Sequence, residues 1–486
     1  MLYHSTRNKD QFVEPCQAVL KGLAEDGGLF VPAALPQVDF ESWQGLSYQE
    51  IARKISGLFF SDLAPDTLDE ICQSAYGSQF DHEEIVPSHW FRPDLAFLEL
   101  WHGPTLAFKD LALQFLPRLM QAARAKLGLK DKVLILTATS GDTGKAAMEG
   151  FAGLEDYQVL VFYPYKGVSS FQKRQMLTRS ATNVRAVAVK GNFDDCQRGV
   201  KTIFADSDFK AQAKSRGYVL SSANSINIGR LVPQIVYYVY SYLRAVKMGR
   251  FSYGDPVKVI VPTGNFGNIL AADYAKTMGL PLGQIQLAAN QNNVLYDFLQ
   301  TGTYNANRDL VKSSSPSMDI LRASNLERYL YLQKPNPDWI KSLMVDLEQK
   351  GCFKVEPDLL DIKATWAGET ATDQAIAEVY REGDYLIDPH TAVAYAGLKA
   401  YPSQGSTFIA ATASPYKFCG KLLSALGQKA VSDDQTALNR LAALARQDLP
   451  DRIQQLWELD PDRELVIEAA EQADFILDGL AGSGFC

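Results

Sequence analysis

The chain has 486 residues, of which 47% are hydrophobic and 21% charged, so it is long enough for about two or three domains with their own cores. Its formal net charge of −8 disfavours non-specific binding to nucleic acid or to an anionic membrane. The 6 cysteines and 5 histidines are dispersed, so the sequence predicts neither a metal site nor a disulfide framework, and reduced thiols in a cytoplasmic protein are expected.

Residues 1–98 carry helix and turn signals without a catalytic cluster. Apolar residues at helical spacing predict helices at 12–23, 48–59 and 67–76. The glycine-rich run at 24–32 predicts a turn that leads into a short strand. The N-terminus lacks the apolar core of a signal peptide. We therefore expect an N-terminal domain that packs on the rest of the chain and helps to shape a site elsewhere.

Residues 101–110 (WHGPTLAFKD) place one amine directly after a turn signal and a short apolar run. An amine among apolar side chains has a lowered pKa, because burial disfavours its charged form. A partly neutral amine can attack a carbonyl group, so Lys109 is a candidate Schiff-base lysine. On these residues alone, the alternative is an exposed lysine paired with Asp110.

From residue 111 onward, predicted helices and buried strands alternate. The helices are expected at 111–127 (with a kink at Pro117), 145–151, 169–177, 194–205, from 227, and at 269–278, and the strands at 132–137, 159–163, 185–189, 218–221 and 257–262. This alternation predicts β-α-β units and largely parallel sheets flanked by helices, which is an α/β fold. The longest apolar run, 231–246, is interrupted by Pro233 and is too short to cross a bilayer comfortably, so it predicts a buried helix.

Parallel sheets bind ligands at the carboxyl ends of their strands, where the segment 263–268 (TGNFGN) lies. Its glycines let the backbone approach a ligand, and the following helix start offers unpaired N–H groups to an anion such as phosphate. A plain turn capped by Asn265 and Asn268 is the alternative. The segment is neither a P-loop nor a GxGxxG motif.

Residues 139–144 (TSGDTG) have the same strand-to-helix topology, with hydroxyl groups in place of amides. Ser140 and Thr143 can donate to a carboxylate, and backbone N–H groups can add to them. Asp142 would repel a free anion if it were ionised and turned inward, so a helix N-cap is its competing role.

A third polar segment, 222–230 (SANSINIGR), carries Arg230 near a helix start. It suits a second phosphate or a carboxylate, with a capped helix start and a solvated arginine as the alternative. Late in the chain, 388–392 (DPHTA) is a fourth polar segment, and an apolar strand ends on Thr412.

Together these motifs resemble threonine synthase, a pyridoxal-phosphate enzyme of fold type II (the tryptophan-synthase-β group), in its longer bacterial and fungal branch. The matching segments are 3–7 (YHSTR), 21–32 (KGLAEDGGLFVP), 102–110, 139–144, 224–227 (NSIN), 262–268, 314–320 (SSPSMDI) and 388–392. The lysine motif followed by GNFGN is highly specific in this order. The resemblance implies two α/β domains plus the N-terminal domain 1–98: a cofactor-binding core at 99–420 with a smaller mobile subdomain at about 130–215, and a helical C-terminal segment at 421–486.

The resemblance also implies the site residues. Lys109 would join the cofactor pyridoxal 5'-phosphate and move protons, and Thr412 would face the pyridine nitrogen. The cofactor phosphate would be held by Gly264, Asn265, Phe266, Gly267 and Asn268. The substrate would be bound by Ser140, Asp142, Thr143, Asn224, Ser225, Asn227 and Arg230. No metal is implied.

The implied reaction converts O-phospho-L-homoserine and water to L-threonine and phosphate by β,γ-elimination and replacement, the last step of threonine biosynthesis. Such a lyase binds two phosphates, one on the cofactor and one on the substrate. The sequence has two segments suited to binding an anion, 263–268 and 222–230. A cytoplasmic monomer or homodimer without nucleic-acid or membrane partners is expected. Two alternatives are a phospho-lyase that forms 2-ketobutyrate and a catalytically silent relative of the fold.

One motif departs from the family. The family usually reads TAHPAKF where this chain reads TASPYKF at 412–418. Ser414 therefore replaces a histidine, and Tyr416 replaces a small residue. A direct contact made by the histidine would be lost or passed to water, because serine is shorter.

Overall fold

The structure is a computed structural model, and it describes residues 1–139, 141–178, 181–403, 405–431 and 433–482. The N-terminal part is a three-stranded antiparallel sheet in the order β2-β1-β3, flanked by helices. Its elements are β1 (Tyr3–Ser5), β2 (Asn8–Val13), α1 (Pro15–Lys21), β3 (Phe30–Pro32), α2 (Tyr48–Phe59) and α3 (Pro65–Ala75).

The predicted helices of this part are confirmed for α2 and α3, but the first was placed too early. Residues 8–13 pair with β1 as a strand, and the helix begins only at Pro15. Proline is favoured in the first turn of a helix, where its missing N–H costs nothing. The apolar spacing at 12–23 combined the end of a strand with a helix.

The rest of the chain alternates strands and helices, as predicted. The strands are β4 (Ser88–Arg92), β5 (Leu95–Glu99), β6 (Lys132–Ala138), β7 (Tyr157–Pro164), β8 (Val184–Lys190), β9 (Tyr218–Ser221), β10 (Val257–Pro262), β11 (Leu282–Ala289), β12 (Thr303–Asn305), β13 (Cys352–Lys354), β14 (Lys363–Trp366), β15 (Thr407–Ala411) and β16 (Val466–Glu468). The helices are α4 (Lys109–Leu113), α5 (Leu116–Leu127), α6 (Asp142–Phe151), α7 (Ser170–Leu177), α8 (Phe193–Ala205), α9 (Ser207–Ser215), α10 (Ile228–Leu231), α11 (Pro233–Lys247), α12 (Gly267–Thr277), α13 (Val294–Thr301), α14 (Leu326–Gln333), α15 (Pro337–Lys350), α16 (Glu369–Gly383), α17 (Pro389–Ala396), α18 (Cys419–Ala425), α19 (Asp434–Ala445), α20 (Asp451–Glu458) and α21 (Gln472–Ala481).

Two parallel sheets organise these elements. The large sheet has six strands in the order β14-β11-β10-β15-β5-β4, and only β4 is antiparallel to its neighbour. The small sheet has five strands in the order β16-β8-β7-β6-β9, all parallel. Their central strands are buried on both faces, which explains why they read as continuous apolar runs in the sequence.

Three features refine the predicted organisation. The expected helix at 111–127 is two helices, because Pro117 lies in the first turn of α5 instead of kinking one long helix. The C-terminal segment from 421 contains strand β16 in addition to its helices. The apolar run 231–246 forms the buried helix α11, and within the described ranges no helix is both long and apolar enough to cross a bilayer.

The domain limits stay predictions, and the sheets suggest how to draw them. Strand β4 lies before the predicted limit at 98 and β5 crosses it, yet both belong to the large sheet. The small sheet takes its strands from 132–221 and from the C-terminal β16. We propose that the N-terminal unit ends before β4 and that the small unit includes the end of the chain.

Candidate active site

Loops from the carboxyl ends of both sheets supply the candidate site, as the strand-end rule predicts. These loops follow β5, β6, β9, β10, β11 and β15. The loop after β5 carries Lys109 and is tied to the loop after β15 by backbone hydrogen bonds: Phe108 N–H donates to the Thr412 carbonyl at 2.9 Å, and Ser414 N–H donates to the Leu106 carbonyl at 3.0 Å. Lys109 itself begins α4, with its side chain 12% exposed.

Asp110 is not a surface partner of Lys109. Its carboxylate is fully buried and accepts hydrogen bonds from Thr105, from the backbone N–H at 2.8 Å and from the hydroxyl at 2.6 Å. Gly103 has to be a glycine here, because a Cβ would lie 2.4 Å from the Cβ of Asp110. Burial raises the pKa of Asp110 to about 6, against the opposing hydrogen bonds from Thr105. The turn before Lys109 is thus fixed by its own buried carboxylate.

His102, in the same motif, lies between two carboxylates. Its Nδ1 is 2.5 Å from Asp81 Oδ1, and its Nε2 is 2.9 Å from Glu99 Oε2. Both ring nitrogens therefore donate, which requires the protonated imidazolium. Burial alone would lower the pKa of His102, but the two carboxylates outweigh it and raise the pKa to about 9. This charged triad anchors the entry to the lysine loop.

Asp142 does not have the competing role of helix N-cap, and its part in substrate binding stays a prediction. It is the first residue of α6 rather than its N-cap, and its side chain points inward, where it is 2% exposed. The hydroxyl of Thr139 holds the loop instead, accepting from Gly141 N–H at 3.0 Å and from Gly144 N–H at 3.1 Å. Asp142 is therefore free to serve as an acceptor inside the site.

The partners of Asp142 are donors, and the foremost is a second lysine that the sequence reading did not single out. Lys417 Nζ lies 2.8 Å from Asp142 Oδ1 and also donates to the Thr105 carbonyl at 2.8 Å, with its side chain 0% exposed. Gln172 donates to Asp142 at 2.9 Å. Burial would raise the pKa of Asp142, but the charges of Lys417 and Lys109 outweigh it and hold the pKa well below its ordinary value. Asp142 is thus a permanent carboxylate.

The amine of Lys109 has the property that the sequence predicted. Burial and the nearby cations Lys417 and Arg230 together lower its pKa to about 8, against the opposing charge of Asp142 at 3.9 Å. The lowered pKa increases the neutral share of the amine near neutral pH. The neutral form is the one that attacks a carbonyl group and accepts a proton.

Ser317, which was not among the predicted site residues, contacts Lys109 directly. Lys109 Nζ donates to Ser317 Oγ at 3.1 Å, and Ser317 Oγ lies 3.3 Å from Asp142 Oδ2. Its backbone N–H donates to His390 Nε2 at 3.2 Å, and His390 Nδ1 is 2.6 Å from Asp388 Oδ1. The segments 314–320 and 388–392 carried a signal only as parts of the family resemblance.

The segment 263–268 has the features of an anion-binding loop. Phe266 adopts a left-handed conformation (φ 64°) just before α12 begins at Gly267. Asn268 accepts from the hydroxyls of Tyr237, at 2.7 Å, and Tyr238, while its buried Nδ2 has no hydrogen-bond partner among the described residues. A Cβ on Gly267 would find space, with side-chain amide nitrogens 3.5 and 3.6 Å away. The loop therefore surrounds an open position with amide donors.

Its other two members shape this loop. A Cβ on Gly264 would lie 2.3 Å from the Ser317 carbonyl oxygen, so a glycine is required there. The Asn265 carbonyl accepts from Asn325, from its backbone N–H at 3.1 Å and its side-chain amide at 3.2 Å. The structure thus brings all five predicted phosphate-loop residues together with the loop that carries Ser317.

Arg230 is a buried cation with spare donors. It is 3% exposed, its Nη1 donates to the Ala223 carbonyl at 2.8 Å, and its Nε has no hydrogen-bond partner among the described residues. Burial lowers its pKa to about 10. Within the described ranges no carboxylate lies within 4.0 Å of it. Leaving such a group unpaired is costly, so the position favours an anionic ligand.

The other predicted substrate residues differ in their fit. Asn227 is bonded within the protein, and its role toward substrate stays a prediction: its Nδ2 donates to the Val19 carbonyl at 2.8 Å, and its Oδ1 caps α10 by accepting from Gly229 N–H at 2.9 Å. Asn224, Ser225 and Thr143 are half-buried. Ser140 lies outside the described residues.

Ser414 and Tyr416, the two residues that differ from the family pattern, lie buried in the segment after β15. Thr412 is 5% exposed, and Ser414 and Tyr416 are 0% and 5% exposed. The hydroxyls of Ser414 and Tyr416 have no hydrogen-bond partner among the described residues. The effect of Ser414 in place of the family's histidine therefore stays a prediction.

Comparison with known proteins gives the family. Residues 91–407 match the model described as pyridoxal-phosphate dependent enzyme, and residues 2–76 match the threonine synthase N terminus. Threonine synthase of Schizosaccharomyces pombe is 40% identical over 458 residues, covering 86% of this chain and 87% of that protein. Human threonine synthase-like 1 is 41% identical over 441 residues, but the match covers only 59% of that longer protein and 87% of this chain.

A solved structure agrees. The crystal structure of pyridoxal-phosphate-bound threonine synthase from Brucella melitensis is 33% identical, has a TM-score of 0.87, and aligns over 99% of this chain and 98% of that one. Fold and site thus define a pyridoxal-phosphate-dependent enzyme of fold type II. Within that class, the chain belongs to the threonine synthase family.

Proposed function

We propose that the protein is a threonine synthase that converts O-phospho-L-homoserine and water to L-threonine and phosphate. One observation carries this proposal: a buried amine with its pKa lowered to about 8 is accompanied by two separate buried donors, Asn268 Nδ2 and Arg230 Nε, that have no hydrogen-bond partner in the described part of the chain. A reaction on a phosphorylated substrate with a phosphorylated cofactor needs two anion sites.

The residues present fit pyridoxal phosphate. The unpartnered Asn268 amide, the open position over Gly267 and the start of the eleven-residue helix α12 together suit a phosphate group. Lys109 is the amine for its aldehyde, and we propose Thr412 as the hydroxyl that meets the ring nitrogen. The bound cofactor supplies an electron-withdrawing ring that stabilises negative charge on substrate carbons.

The other charged groups have defined tasks in this proposal. The neutral fraction of Lys109 takes a proton from a substrate carbon and returns it at another. Arg230 binds the substrate phosphate and, by remaining cationic, stabilises it as it leaves. Asp142 does not bind the anionic substrate directly, since it is a permanent carboxylate held by Lys417. Its charge instead offsets the charges of the two lysines beside it, Lys417 and Lys109.

The decisive experiment is product identification. Purified protein loaded with pyridoxal phosphate and given O-phospho-L-homoserine should release equal amounts of L-threonine and phosphate. Phosphate release with 2-ketobutyrate in place of threonine would favour the phospho-lyase alternative. No phosphate release from the loaded protein would refute both activities.

A pair of arginine variants tests the substrate phosphate site. Arg230→Gln should raise the KM for O-phospho-L-homoserine about ten- to a hundredfold, the range for a lost hydrogen bond to a charged group. Arg216→Gln is the matched control, because Arg216 is exposed on the small unit. An unchanged KM in the Arg230 variant would place the substrate phosphate elsewhere.

A further inference from the structure

We propose that Ser317 is a catalytic residue of this site, whose hydroxyl binds one N–H of Lys109 and thereby fixes the direction of the amine's lone pair. This inference rests on the proposed role of Lys109 as the cofactor-binding amine, but not on the identity of the product. It assigns a function to the loop 313–319, which lies between β12 and α14.

The direction of the hydroxyl follows from its two neighbours. Ser317 Oγ is 3.1 Å from Lys109 Nζ and 3.3 Å from Asp142 Oδ2. An ionised carboxylate accepts hydrogen bonds but donates none. The serine proton therefore points to Asp142, and an oxygen lone pair is left facing the lysine. Ser317 can only accept from Lys109, whether the amine is charged or neutral.

Asp142 is itself held in place, so it orients the serine reliably. Lys417 lies 2.8 Å from one carboxylate oxygen, and Gln172 donates to the same oxygen at 2.9 Å. The other oxygen is the one near Ser317. The charges of Lys417 and Lys109 hold the pKa of Asp142 well below its ordinary value, so protonation of the acceptor does not interrupt the arrangement at working pH.

The backbone of Ser317 is positioned by a second set of contacts. Its N–H donates to His390 Nε2 at 3.2 Å, so this nitrogen carries no proton, and Nδ1–H is the one that faces Asp388. Asp319 anchors the same loop by accepting from the Ser313 hydroxyl at 2.6 Å and from Asn290 at 2.8 Å. Contacts within the protein thus position both the backbone and the hydroxyl of Ser317.

The chemical consequence concerns bond formation at the amine. A neutral amine has two N–H bonds and one lone pair, and Ser317 takes one of the N–H bonds. Asp142, 3.9 Å from Nζ, is too distant to take the other. Condensation with the aldehyde of pyridoxal phosphate joins nitrogen to carbon and releases one water, whose two protons come from the amine. A lone pair held in one direction makes the productive approach more frequent.

The test separates covalent capture from simple binding. Pyridoxine 5'-phosphate carries an alcohol in place of the aldehyde, so it measures affinity for the site without bonding to Lys109. In cofactor-free protein, Ser317→Ala should slow covalent capture of pyridoxal phosphate about tenfold, the value of one lost hydrogen bond. Its affinity for pyridoxine phosphate should stay within about twofold of wild type. Capture is followed by absorbance and by mass after borohydride reduction.

Ser317→Thr, which keeps the hydroxyl, should capture at close to the wild-type rate. Ser315→Ala is the loop control: its hydroxyl accepts from Asn290 at 3.0 Å and does not touch Lys109. If loop order were the cause, this variant would weaken both probes together. If Ser317→Ala does not fold, Ser317→Cys, of similar size but a weak acceptor, should show the same split.

Two results would overturn the inference: capture at the wild-type rate in Ser317→Ala, or an equal loss of capture and pyridoxine phosphate affinity. Failure of the proposed function has a different signature. Wild-type protein that makes no threonine, while the Ser317 variant still slows capture, would refute the activity and leave the role of Ser317 standing.

Discussion

Replacing each member of the Asp142–Lys417 pair should move the pKa of Lys109 in opposite directions. Asp142→Asn removes an anion 3.9 Å from the amine and should lower its pKa from about 8. Lys417→Met replaces a buried cation with a neutral side chain of similar length and should raise the pKa of Lys109. A role of the pair in packing alone would not produce opposite signs.

The magnitude follows from Coulomb's law. At 3.9 Å and an effective dielectric constant of about 20, the Asp142–Lys109 attraction is about 4 kcal/mol. This corresponds to roughly 3 pKa units and is an upper limit, because loosened packing admits water. We expect a fall of roughly 1–3 units in Asp142→Asn and a smaller rise, of about one unit, in Lys417→Met. Asp142 is the largest charge influence on Lys109, and Lys417 comes next.

The assay uses the reactivity of the amine itself. Only the neutral form reacts with formaldehyde and cyanoborohydride, so the rate of methylation at Lys109 in cofactor-free protein, read by peptide mass across pH 5 to 10, reports the pKa. Lys399→Met, whose side chain is 80% exposed, is the matched control and should leave the midpoint unchanged. Shifts of the same sign in both variants, or no shift beyond about 0.3 units, would refute the electrostatic reasoning.

Four further outcomes are expected. Lys109→Ala should abolish turnover and covalent cofactor capture while pyridoxine phosphate still binds, so retained turnover would exclude this amine. Gly267→Val should fold, because the position has room, but should weaken cofactor affinity in equilibrium titration. Gly264→Ala should instead destabilise the loop, since its Cβ would lie 2.3 Å from a carbonyl oxygen. Thermal unfolding without cofactor distinguishes the two variants, because only Gly264→Ala should lower the melting temperature. The pKa of His102, raised to about 9, should give stability that is fully present below its unfolded value of about 6.5 and is lost as pH rises through 9, so the difference in melting temperature between wild type and His102→Gln should shrink between pH 6 and pH 10. Thr412→Ser should leave the absorption spectrum of the loaded enzyme unchanged and Thr412→Asp should alter it, because an anion favours a protonated ring nitrogen; an unaltered spectrum in the aspartate variant would direct attention to Ser414.

The features that could be predicted from the sequence are those that leave a pattern in neighbouring residues. Strands such as β6 and β10 are continuous apolar runs because both of their faces are buried, and the run itself is the evidence of burial. Lys109 was identified in the same way, from the apolar residues beside it. The two glycines of 263–268 indicate a segment whose backbone can approach a ligand closely.

What the sequence did not reveal depends on distance along the chain. Lys417 lies far from Asp142 in sequence, so no local pattern indicates that the two side chains pair. Asp142 can point inward because the hydroxyl of Thr139, and not the carboxylate of Asp142, accepts the backbone hydrogen bonds of this loop. The amide of Asn227 contacts Val19 of α1, which is also far away in sequence. Partners brought together by tertiary folding decide such roles.

The C-terminal strand β16 has a consequence for the order of folding during synthesis. It pairs with β8 along Ala188 and Val189, although four of the six strands of the large sheet lie between β8 and β16 in sequence. The ribosome therefore releases β8 as an open sheet edge long before its partner exists. Open edges recruit other strands, so the nascent chain passes through an aggregation-prone interval that ends only when Val466–Glu468 emerges. Shortening the chain before β16 would make that interval permanent.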